Sequence, residues 1–95
     1  MKIAILGCGN MGTAYARGFR KYGLVKPEDL HLVIRSEAHR SRLEMLGQVT
    51  TTIDAGISAS SLVIIAVKPQ DFGSIAPALA EVLRPEQVVL SIMAG

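Results

Sequence analysis

Residues 2–12 read Lys2-Ile3-Ala4-Ile5-Leu6-Gly7-Cys8-Gly9-Asn10-Met11-Gly12, and this stretch decides the fold. An apolar strand runs into a G-x-G-x-x-G turn, and an amphipathic helical pattern follows at once. That order meets the physical requirement for gripping a dinucleotide pyrophosphate. Gly7 permits a tight turn, Gly9 lets backbone approach the phosphates, and Gly12 lets the helix pack close to the strand. The first helical turn then offers unpaired N–H groups and the positive end of its dipole to an anion.

Working outward, residues 10–22 carry Met11, Ala14, Tyr15, Gly18, Phe19 and Tyr22 at helical spacing, which predicts one buried face. Arg17, Arg20 and Lys21 suit the C-terminal end of that helix, and Gly23 suits its cap. A second strand is expected at 30–34. A helix at 36–46 follows, with Ser36 as N-cap and Gly47 as its stop. A short strand is expected at 49–51 and a short helix capped by Asp54 after it. The run Leu62-Val63-Ile64-Ile65-Ala66-Val67 is continuously apolar, as in a strand buried on both faces of a parallel sheet. Pro77 belongs in a first turn, so a regular helix is expected over 75–83, with residues 71–74 as a looser lead-in. A fifth strand is expected at 87–92.

Five strands alternating with four helices read as an α/β, Rossmann-like doubly wound parallel sheet, and right-handed crossovers give the expected order 3-2-1-4-5. The whole of 1–95 is expected to form one dinucleotide-binding domain. Ligands in such sheets bind beyond the C-terminal strand ends. Residues 7–12, 34–36, 67–70 and 93–95 are expected to meet there. The chain ends Leu90-Ser91-Ile92-Met93-Ala94-Gly95, just past a strand and without a closing helix, which reads as a fragment of a longer protein.

The bulk numbers bound the function. Ninety-five residues with 49% hydrophobic and 19% charged content fit one globular domain. A net charge of +2 without a basic stripe argues against a nucleic-acid partner. One cysteine excludes an internal disulfide and a cysteine-rich metal site, and a reducing cytoplasm is the expected setting. The longest apolar run is too short to span a bilayer, and no signal-peptide core precedes Gly7, so no membrane partner is expected.

The end of the second strand bears on cofactor choice. An NAD site places an acid there for the ribose hydroxyls, whereas this chain has Ile34-Arg35-Ser36. Arg35 attracts a 2′-phosphate, Ser36 can donate a hydrogen bond, and His39 and Arg40 add positive charge nearby. NADP(H) is therefore expected over NAD(H).

With Gly-Cys-Gly-Asn-Met-Gly at 7–12, Ala66-Val67-Lys68-Pro69-Gln70 after the fourth strand and Ser91-Ile92-Met93-Ala94-Gly95 after the fifth, the chain resembles the pyrroline-5-carboxylate reductase family over its N-terminal half. The resemblance implies NADPH-dependent reduction of 1-pyrroline-5-carboxylate to L-proline. It also implies a C-terminal helical domain, absent here, that makes a homo-oligomer and supplies much of the pocket for the small-molecule imine. By resemblance, Asn10 and Met11 join Gly7, Cys8, Gly9 and Gly12 around the pyrophosphate, and Arg35 and Ser36 match the 2′-phosphate region. Ala66, Val67, Lys68 and Pro69 match the segment along the nicotinamide riboside, and Ala94 and Gly95 the loop beside the nicotinamide. Asp54, near the adenosine, stands where many relatives carry Asn, and an acid there opposes phosphate. Met93 stands where a smaller residue is common. A β-hydroxyacid dehydrogenase, an NADPH:F420 reductase-like protein and a non-catalytic dinucleotide-binding module are the alternatives. The Val-Lys-Pro-Gln segment argues against the first.

Hydride transfer to a protonated imine needs two reactants held in line more than it needs an acid/base pair. No catalytic residue and no metal ligand is assigned in this chain. Lys68 either orients the ribose or an anionic substrate, or only shapes the loop before Pro69 with its backbone. Cys8, in the phosphate loop, reads as a small space-filler more than as an activated thiol, and Asp54 and Asp71 read as helix caps more than as acids.

Overall fold

The structure is a computed structural model and describes residues 1–35 and 37–92. Five parallel strands form one sheet: β1 (Ile3–Leu6), β2 (Leu30–Val33), β3 (Gln48–Thr50), β4 (Leu62–Ile65) and β5 (Val88–Ser91). Their order is β3-β2-β1-β4-β5, as expected. The central strand is matched on both sides, Ile3 facing Leu30 of β2 and Leu62 of β4. Helices α1 (Asn10–Lys21), α2 (Arg40–Leu43), α3 (Ala55–Ser58) and α4 (Pro69–Val82) connect the strands. No described helix is long and apolar enough to cross a membrane.

Strand alternation builds two cores. Ile3, Ile5, Leu30, Leu32 and Ile64 point to one face, where they pack with Ala16 of α1 and Leu43 of α2. Ala4, Leu6, Val33, Val63 and Ile65 point to the other, against Ile57 of α3 and Leu79 of α4. Helices on both faces of a parallel sheet explain why β1 and most of β4 read as unbroken apolar runs.

The chain punctuates its elements largely as expected. Gly23, at φ +67°, ends α1 with paired bonds: its N–H donates to Arg20 O, and that of Leu24 to Phe19 O. The Asp54 carboxylate accepts from the Gly56 N–H and caps α3. Gly47 closes the α2 region because of close packing: a Cβ there would stand 2.5 Å from Leu30 O.

Three expectations need correction. The buried side of α1 is set by Gly12 and Ala16, flanked by Tyr15 and Phe19, whereas Met11, Ala14 and Tyr22 are exposed. The stripe is rotated because Gly12 must sit against the β1 turn. The helix expected at 36–46 is broken into a 3-10 turn, Glu37–His39, and the single turn of α2. Arg40 organises this stretch, pairing with Glu37 and Glu44 and donating to Val49 O at 3.2 Å. Finally, α4 begins at Pro69, with Pro77 inside it. Pro77 and Gly73, four residues earlier, are both exposed, so the hydrogen bond that Pro77 cannot donate is missing on the solvent side of the helix.

Candidate functional site

The strands β1, β2 and β4 end together, and a cavity of about 410 Å³ opens beyond them. Gly7, Cys8 and Gly9 form its floor. Ile34, Arg35 and Ile53 stand on one side; Val67, Lys68 and Asp71 stand on the other. Three of the four segments expected to meet here contribute to it. The fourth, with Ala94 and Gly95, lies outside the described residues, as does Ser36.

Each glycine of the motif has its own reason. Gly7 has φ +89°, and a Cβ on it would meet Val67 at 2.7 Å; its N–H donates to Val33 O at 2.9 Å. A Cβ on Gly12 would lie 2.2 Å from Gly7 O, so this residue lets α1 approach β1. A Cβ on Gly9 would meet nothing within 4 Å. Space is therefore kept open at the head of α1, where Gly9 is the N-cap and no side chain caps the helix. The first turn of α1 also carries no acid. Uncapped amides beside open space suit an anion.

The Thr13 hydroxyl donates to Cys8 O at 3.1 Å and braces the loop. Burial pushes the Cys8 thiol up to about 12. It stays protonated at neutral pH and fills space, since nucleophilicity requires the thiolate.

The other expected residues divide. Ala66, Val67 and Lys68 line the cavity. Lys68 is the N-cap of α4, with Pro69 at the helix start, and its carbonyl accepts from the Asp71 N–H at 2.9 Å. Asn10 instead lines a smaller cleft of about 270 Å³ between α1 and α2, shared with Thr13 and Arg17. Met11 is exposed and lines neither. The Asp54 carboxylate is engaged as a cap, and its neighbour Ile53, not Asp54, lines the main cavity.

Electrostatics alter the reading of the basic residues. Arg40 is matched by Glu37 and Glu44, and the Arg40 guanidinium in turn holds the Glu37 carboxyl below its usual range. Its charge is thus committed to the local fold. The Arg35 side chain is 77% exposed at the cavity mouth and pairs with Asp71 at 2.5 Å. Asp71, expected as a cap more than as an acid, stands instead in the first turn of α4, whose N-cap is Lys68. An acid two residues past Pro69 at a helix start was the available signal. Among the described residues no group of three or more His, Cys, Asp and Glu could hold a metal ion.

The family described as NADP oxidoreductase coenzyme F420-dependent matches residues 2–95. A pyrroline-5-carboxylate reductase of Methanosarcina acetivorans is 35% identical over 96 residues, covering 99% of this chain and 36% of that protein. One of Thermus thermophilus is 33% identical, covering 100% of this chain and 35% of that protein. Among solved structures, a pyrroline-5-carboxylate reductase from Coxiella burnetii superposes with a TM-score of 0.87 at 24% identity, covering 99% of this chain and 36% of that one. A Plasmodium falciparum pyrroline carboxylate reductase with NADP bound gives 0.80 at 22% identity, covering 98% and 33%. The chain spans about a third of the length of the relatives it matches.

Proposed function

Because the chain belongs to the family described as NADP oxidoreductase coenzyme F420-dependent, we propose that residues 1–95 form the NADP(H)-binding part of a reductase that converts 1-pyrroline-5-carboxylate to L-proline. The observation that carries this reading is the open space over Gly9, at the uncapped head of α1, on the floor of the 410 Å³ cavity.

The residues present fit the cofactor. Backbone groups of Gly7, Cys8, Gly9, Asn10, Met11 and Gly12 would hold the pyrophosphate, and Arg35 with Ser36 the 2′-phosphate. Asp54, while capping α3, would stand on the adenosine side. Ala66, Val67, Lys68 and Pro69 would run beside the nicotinamide riboside, with Ala94 and Gly95 beside the ring. When bound, the reduced nicotinamide supplies the hydride. The chain's own contribution is to hold and orient it in a cavity whose apolar lining includes Ile53, Val67 and Ile75, since alignment of the two reactants does most of what the reaction needs. The imine pocket and homo-oligomer contacts belong to sequence beyond this third of the enzyme, and a cytoplasmic setting completes the reading.

The test has two steps. Titration of the chain with NADPH and NADH, followed by nicotinamide fluorescence, is expected to show binding with NADPH preferred. The polypeptide carrying residues 1–95, at its natural length, is then expected to oxidise NADPH only when 1-pyrroline-5-carboxylate is supplied. Failure of both cofactors to bind at either length overturns the proposal. The family description favours a second reading, exchange between NADP and coenzyme F420. Oxidation of NADPH with F420, and none with the imine, would establish that reading instead.

A further inference from the structure

Arg35 and Asp71 reach one another from opposite sides of the cavity. Arg35 follows β2 and Asp71 lies in the first turn of α4, which follows β4. In the sheet order β2 and β4 flank β1 on its two sides. Their 2.5 Å ion pair therefore bridges the mouth above the glycine loop. Asp71 is held there by its helix: its N–H donates to Lys68 O, and the N-terminal end of α4 favours a carboxylate. Asp71 is also the less exposed partner, at 30% against 77% for Arg35.

We propose that Asp71 is a specificity-determining residue that opposes selection of the 2′-phosphate by competing with it for Arg35. The inference rests on the NADP(H) reading above. A 2′-phosphate that reaches Arg35 must displace the Asp71 carboxylate, and that carboxylate then stands beside a group carrying more than one negative charge. A cofactor with a free 2′-hydroxyl meets the reverse situation. Its ribose hydroxyl can donate to Asp71, and no charge is forced against another. The acid that NAD-selective sheets carry at the end of the second strand is thus supplied here from α4. Arg35 and Asp71 pull cofactor choice in opposite directions, and the balance between them sets it.

The experiment measures NADPH and NADH affinity for the protein and for Asp71→Asn and Asp71→Ser, at low and high salt. Asn and Ser both suit a first helical turn, so two variants guard against a local folding defect. The expected result is a rise of about three- to tenfold in the NADPH-to-NADH affinity ratio, as loss of a competing exposed ion pair allows, shrinking at high salt. A merely structural role would weaken both cofactors together and leave the ratio in place. A ratio that stays the same or falls, in a protein that binds NADPH, overturns this inference and leaves the proposed function standing. Binding of neither cofactor by the unmodified protein overturns both.

Discussion

Gly9 and Gly12 differ by three positions in sequence and entirely in what a methyl group would do. At Gly12 it would lie 2.2 Å from Gly7 O, so Gly12→Ala must force α1 off β1. Urea unfolding is expected to show a loss of about 2–3 kcal/mol. At Gly9 the methyl meets nothing, and Gly9→Ala is expected to keep stability within about 0.5 kcal/mol while losing NADPH affinity in the same titration. Cys8 supplies a pH signature. Its pKa is raised on folding from an ordinary 9.0 to about 12, so its contribution to stability is whole below pH 9 and is lost as pH climbs from there toward 12. Cys8→Ala is expected to flatten the alkaline limb of the stability profile; an unchanged limb would place the alkaline loss elsewhere. The glycine spacing made the loop legible in the sequence, because each glycine is a local backbone demand. The Arg35–Asp71 pair was not legible. It joins residues on separate elements that only the sheet order brings together.

Strands are more legible in this sequence than helices. Apolar runs mark buried parallel strands regardless of what surrounds them, which is why β1 and β4 emerged within one or two residues of their ends. The Asp54 cap was equally visible, since capping is chemistry within three residues. The helix after β2 was overextended because periodicity carries no information about Arg40 drawing Glu37, Glu44 and Val49 O around itself. Helix α4 begins at Pro69, earlier than the expected residue 75, for the opposite reason. Pro77 reads as a breaker in the sequence, yet Pro77 and Gly73 both lie on the exposed side of α4. The proline costs α4 a hydrogen bond without stopping it. Pro77→Ala is therefore expected to raise stability by about 1 kcal/mol or more, read as an increase in melting temperature. A fall would mean that the ring makes contacts that outweigh the missing bond.

Across the whole molecule, β3 and β5 are the sheet edges, and they are unlike. β5 has Val88, Val89 and Leu90 exposed at 63%, 44% and 43%, and it pairs only with β4. An exposed apolar edge is a template for another strand. Residues 1–95 are expected to associate as concentration rises, and Val88→Lys to suppress this in sedimentation velocity. Identical profiles would show that the edge does not mediate the contact. The central position of β1 has a different kind of consequence, one that concerns time. Ile3 is made well before its second neighbour, Leu62, with β2 and β3 lying between them along the chain. Until residue 65 emerges, the most buried strand of the protein carries one bare edge, and pairings this distant in sequence form slowly. Val67, which closes over Gly7, comes later still. A nascent chain thus has no cleft to offer until four of the five strands have been synthesised, and the strand made earliest of the five is among the last to be finished.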